Sequence, residues 1–138
     1  MAKHSSFESF GKAILRRADE VQAHAPDIIR KATIASLNAI TYATPVDEGR
    51  ARANWNVSQG QPDLSLTEST DAESSVSEGV SKAQDYKSGL GANLITNNLE
   101  YIGALENGSS SQAPSGMIRF GVNAARKVFN SAKIFRSK

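Results

Sequence analysis

The sequence predicts an α+β fold: a long N-terminal helical segment and a C-terminal helix packed on a small antiparallel β-sheet. Three observations carry this expectation. Apolar residues recur at helical spacing across residues 5–43 and again across 114–136. Between them, Asn54–Gln59 and Leu90–Thr96 are short runs bounded by turn-formers, as strands are. Gly, Pro, Asn and Asp cluster where the chain must change direction. With 138 residues, the chain suits one domain, 1–138, in which 44–113 supplies strands, loops and short helices.

The first helix is expected to open at Ser5, because Ser5 and Glu8 have the spacing of a capping box. Phe7, Phe10, Ile14, Ala18, Val21 and Ala25 share one face, with Lys12, Arg16 and Asp19 opposite. Pro26 disfavours the α conformation at Ala25, so a break is expected there, with Pro26 opening a second helix that runs to Ala43. That second helix carries a stripe of Ile28, Ala32, Ala35, Ser36, Ala39 and Ala43, flanked by Ile29 and Ile40. Ile34 and Leu37 fall outside the stripe. A second subunit or a wide intramolecular core would each cover them.

Thr44-Pro45 ends the helix, and Asp47-Glu48-Gly49 reads as a turn in which the Asp47 carboxylate bonds its own backbone. The first strand then puts Trp55 and Val57 on one face. Residues 60–73 read as a long exposed loop. Glu73–Lys87 is expected to be a polar helix with Val76, Val80, Ala83 and Tyr86 inward. The second strand is stopped by Asn97-Asn98, and Leu99–Glu106 is a short helix terminated by Gly108. Pro114 suits the first position of the last helix, whose stripe is Met117, Ala124, Val128 and Phe135, joined by Ile118, Ala125, Phe129 and Ala132.

Mean hydropathy of −0.38 fits a soluble chain, and no apolar run approaches the roughly 20 residues that span a bilayer. The N-terminus has Lys3 but no apolar core after it, so no secretory signal is expected. The absence of cysteine excludes disulfides and thiolate metal sites and suits a reducing cytoplasm. Net charge is +2 but uneven. No acidic residue follows Glu106, whereas Asp63 to Asp85 is acidic apart from Lys82. Such a dipolar chain could associate head-to-tail or dock a basic end on an acidic partner; a solvated helix end rich in Lys and Arg is the plainer alternative.

Catalytic constellations are lacking in the sequence. His4 and His24 do not have metal-ligand spacing, Glu106 stands alone, and there is no phosphate-binding loop or nucleophile elbow. Neither an enzyme nor a cofactor is therefore expected. The basic last helix could neutralise phosphates, but it has no aromatic interleaving for base stacking, since Phe129 and Phe135 read as core.

Three segments, taken in order, resemble the hallmark segments of the tailed-bacteriophage head–tail joining (neck or tail-completion) protein family. The first is Thr44, Pro45, Val46, Asp47, Gly49, Arg50, Arg52 and Trp55. The second is Ile95, Thr96, Asn97, Asn98, Tyr101, Leu105, Glu106 and Gly108, and the third is Gln112, Ala113, Pro114, Gly116 and Met117. Glu100 departs from the pattern, where the family often has proline after the leucine, and residues 60–87 align with nothing in it.

The resemblance implies a virion component at the neck, present in the host cytoplasm during assembly. It implies a homo-oligomeric ring around the DNA channel, close to packaged DNA. Its contacts would be head-closure or connector proteins and tail-terminator or tail-tube proteins, with no membrane. Ile34, Leu37, Arg126 and Lys127 are the candidate interface residues. The loop from Gly60 to Glu73 and the basic tail are expected to order only on docking. The alternative function is a nucleic-acid-binding accessory protein that uses the basic last helix.

Overall fold

A computed structural model describes residues 3–132, with side chains from Phe7 onward. It is α+β, as expected: mostly helical, with a long N-terminal helix, a C-terminal helix and a two-stranded antiparallel sheet. Helix α1 spans Lys3–Ala43, and its 41 residues make a rod about 60 Å long. It is already helical before Ser5, so Ser5 is not its cap. Nor does it break at Ala25; Pro26 lies inside one continuous helix. Proline removes one helical hydrogen bond and disfavours, without forbidding, α geometry before it. Here Arg30 anchors the turn after it by donating to the Tyr86 carbonyl.

The C-terminus of α1 is tied off by Arg52, whose guanidinium donates to the carbonyls of Thr44 (2.7 Å) and Tyr42 (2.9 Å). Arg52 sits on a short helix that sequence reading missed, α2 (Arg50–Ala53). Gly49 turns the chain into α2 with φ +94°, and a Cβ there would come within 2.8 Å of the Thr70 carbonyl oxygen. Strand β1 (Asn56–Gln59) pairs with β2 (Asn93–Thr96) in the register Asn56↔Thr96 to Gln59↔Asn93. Both strands are shorter than predicted: Trp55 is buried before β1 begins, and Leu90 is exposed ahead of β2.

Between the strands lies α3 (Ala72–Gln84), capped by Asp71, whose carboxylate accepts from the Ser74 N–H at 3.0 Å. It presents Val76, Val80 and Ala83 to the core, and Tyr86 is buried just beyond it. Helix α4 (Ile102–Glu106) is shorter than expected, and α5 (Ile118–Ser131) starts four residues after Pro114, which stands exposed in the preceding turn.

The core gathers Leu37, Ile40, Trp55, Val57, Ala83, Ala113 and Met117. Leu37 is fully buried and Ile34 packs partly buried against this cluster, so a wide intramolecular core covers that side of α1. Leu37 is thus corrected from interface to core. Two faces of α1 are used. Leu37 meets α3 at Gly79, where a Cβ would come within 2.7 Å of its Cδ2. Ser36 and Ile40 meet α5 at Gly121. Gly121 lets the helices approach so closely that the Ser36 hydroxyl donates to its carbonyl at 2.8 Å.

Against expectation, Phe129 and Ile118 are not core residues; at 42% and 47% exposure they border α5's buried face. Phe135 and the basic tail beyond Ala132 lie outside the described residues.

Candidate functional site

The three motif segments, far apart in sequence, meet at one corner of the fold. Gln112 clamps the first segment to the third: its amide oxygen accepts from the Val46 N–H (2.9 Å) and its amide nitrogen donates to the Val46 carbonyl (3.0 Å). Buried Pro45 precedes this clamp. The Thr44 hydroxyl, wholly buried, donates to the Ile40 carbonyl (2.7 Å) and accepts from the Trp55 indole N–H (2.8 Å).

The second segment joins the third through Glu106. Its carboxylate accepts from the backbone N–H of Met117 (2.7 Å) and of Ile118 (3.1 Å), at the start of α5, where orphan N–H groups collect. Gly108, at φ +89°, closes α4 with paired bonds, Gly108 N–H to Leu105 and Ser109 N–H to Ala104, both at 3.1 Å. Gly116 is obliged by the same contact, since a Cβ on it would fall within 2.8 Å of Glu106 Oε1. Asn97 ties this part to α2 by donating to the Ala51 carbonyl at 2.9 Å, and Asn98 donates to Leu64 at 3.2 Å.

Tyr101 is 43% exposed and lines a cleft of about 530 Å³ with Pro45, Leu105 and Gln112. Asp47 lines it too, but among the described residues its carboxylate makes no bond to its own turn, contrary to expectation; Gly49 makes the reversal alone.

The loop of residues 60–71 also departs from expectation. It carries its own latches within one chain, so docking is not needed to order it. Asn54, 1% exposed, accepts from the Thr67 N–H (2.8 Å) and donates to the carbonyls of Thr67 (3.0 Å) and Arg50 (2.8 Å). Asn56 donates to Ser65, Thr96 to the Asp63 carbonyl, and Arg50 pairs with Glu68 at 2.8 Å. The Asp63 carboxylate accepts from the Ser65 hydroxyl (2.6 Å) and N–H (3.0 Å). Those two bonds, aided by Lys82 at 3.7 Å and opposed by partial burial, hold its pKa below the usual carboxylate value.

Two exposed surfaces stand out among the described residues. Arg119, Arg126 and Lys127 lie on the outer side of α5, in no ion pair among the described residues. Along α1, every residue from Phe7 to Glu20 is exposed. Among the described residues no group of His, Cys, Asp or Glu is placed to hold a metal ion, and no helix is long and apolar enough to cross a membrane. Compared with known proteins, the chain matches no family model, no curated protein and no solved structure.

Sequence reading missed what Gln112, Asn54, Arg52 and Gly121 do. A side-chain amide that clamps a distant backbone, or a glycine at a helix crossing, leaves no periodic signal.

Proposed function

We propose that this chain is a structural virion protein of a long-tailed bacteriophage. It would form an oligomeric ring at the neck that joins or completes the tail for attachment to the DNA-filled head. The observation that carries this reading is the convergence of the three family-like segments on one corner, through Gln112–Val46, Asn97–Ala51 and Glu106–Met117. Motifs that resemble a family's at scattered positions gain weight when they prove to be one physical unit. A joining protein works through shape and docking surfaces, and this corner fixes the relative placement of α1, α2, α4 and α5. The partners under this reading are further copies of the chain, a head-closure or connector ring, and tail-terminator or tail-tube proteins.

The test is electron microscopy of the purified chain alone and mixed with phage tails lacking their completion protein. Rings, alone or on tails, are expected; a chain that never joins tails would sink the proposal. Charge reversal at Arg126 and Lys127 should block particle assembly if the basic side of α5 docks.

That same basic side favours one second reading, a nucleic-acid-binding accessory protein. Its affinity would fall steeply with salt, and no DNA binding at low salt removes it.

A further inference from the structure

The N-terminal half of α1 is an arm. From Phe7 to Glu20 no side chain is buried, yet Phe7 is 84% exposed, Phe10 62%, Ile14 52% and Leu15 67%. Phe7, Phe10 and Ile14 share one face and leave on the order of 400 Å² of apolar surface in water, within the range of the largest patch that an ordinary monomer shows.

The same molecule carries a complementary hollow. Ile118, Val122, Ala125 and Phe129 recur at helical spacing along α5 and, with Ile40 and Ile95, line an apolar groove of about 470 Å³. A second hollow of about 450 Å³ shares Ala125 and Phe129 and carries the groove on towards Ile29. Val122 is 49% exposed, and Ile118 and Phe129 are nearly as open.

We infer that the Phe7–Val21 arm of one copy of this chain seats in the α5 groove of the next copy. This rests on the proposed ring, for which it supplies the contact. Lengths agree: Phe7 to Val21 rises about 21 Å along a helix, and Ile118 to Phe129 about 17 Å before the extension to Ile29.

The arm cannot fill the groove of its own chain. The arm and the groove's α1 wall (Ile29 to Ile40) belong to one continuous helix, which cannot fold back on itself.

Area favours arm-in-groove over arm-on-arm. A symmetric arm pair would bury the arms alone and leave Ile118, Val122 and Phe129 of both copies in water. An arm-in-groove contact makes every subunit bury both its arm and its groove. Knob and hole on different faces form a heterologous contact, which closes into a ring when the rotation permits.

The cysteine-free chain makes the test direct. The single variants F10C and V122C and the double variant are treated with a short bismaleimide. The expected result is a ladder of oligomers from F10C/V122C, a heterodimer from the mixed single variants, and monomers from each single variant alone. Both positions are exposed, so folding is checked by circular dichroism and should not change. A dimer from F10C alone would mean arm-on-arm pairing and overturn the inference, as would the absence of any ladder. Arm protection by lipid vesicles without a ladder would assign the stripe to a membrane and overturn it equally.

The paired experiment separates this from the ring proposal. Rings on tails formed unchanged by F10E/I14E sink the arm but spare the neck function. A ladder in a chain that never joins tails does the reverse.

Discussion

The carboxylate of Glu106, at the end of α4, accepts the backbone N–H of Met117 at 2.7 Å and so caps α5. Met117 itself is fully buried, which makes this carboxylate the link between the chain reversal at Gly108 and the core. It also joins two segments that look independent in sequence: the glutamate of one and the glycine-methionine of the other are the two sides of one contact.

Replacing Glu106 therefore acts on α5. Glu106→Ala removes the acceptor for two orphan N–H groups and should cost about 1–2 kcal/mol; Glu106→Gln keeps one acceptor oxygen and should cost roughly half of that. Urea denaturation followed by the fluorescence of Trp55, the only tryptophan, measures both. Equal stability of wild type and Glu106→Ala would show that the contact does not cap the helix.

The glycines separate by environment rather than by position in a helix. A Cβ on Gly121 would run into Ile40, so Gly121→Ala should destabilise by about 1–3 kcal/mol and lower the melting temperature by about 3–10 °C. Gly103 in α4 has nothing within 4 Å of the same added atom, so Gly103→Ala should be neutral or stabilise by up to about 1 kcal/mol. The opposite signs are the prediction, and scanning calorimetry of the two variants decides it.

What could be read from sequence follows the same division. Periodicity revealed the two terminal helices and α3, because burial of one face repeats every three to four residues. The two strands emerged with ragged ends, because Trp55 and Leu90 look like strand residues whether or not they pair. Pro26 misled because its preference against α geometry at the preceding residue is local and does not forbid a continuous helix. Leu37 misled because a stripe drawn for one partner ignored the second face that α3 covers. The motif residues were legible as turn-formers, but not as one corner, since Gln112 and Glu106 act across gaps that no spacing rule encodes.

The Trp55–Thr44 bond offers a cleaner test of that corner. Thr44→Val preserves shape but leaves the buried indole N–H without a partner, while the Ile40 carbonyl keeps the Thr44 backbone N–H (3.0 Å), so it should cost about 1–3 kcal/mol. Trp55→Phe should make Thr44→Val less costly, because the orphaned donor is gone. A double-mutant cycle by circular dichroism should show coupling of about 1 kcal/mol. Strict additivity would mean that the bond contributes nothing.

Asp63 makes the loop sensitive to acid. Its folded-state pKa lies below the unfolded value because the Ser65 hydroxyl and N–H bond the charged form, with the Lys82 charge a smaller influence. A depressed carboxylate pKa contributes stability above the unfolded value of about 3.9, and that contribution is lost as pH falls through the folded value. Asp63→Asn should therefore be less stable than wild type at pH 6–7, and the gap should narrow below about pH 4. Because hydrogen bonds outrank the ion pair, 0.5 M salt should change the gap little. Amide exchange at Ser65 reports this locally, while Asn54 and Asn56 continue to hold the rest of the loop. A gap that stays constant from pH 7 to pH 3 would mean that charge on Asp63 plays no part in the latch.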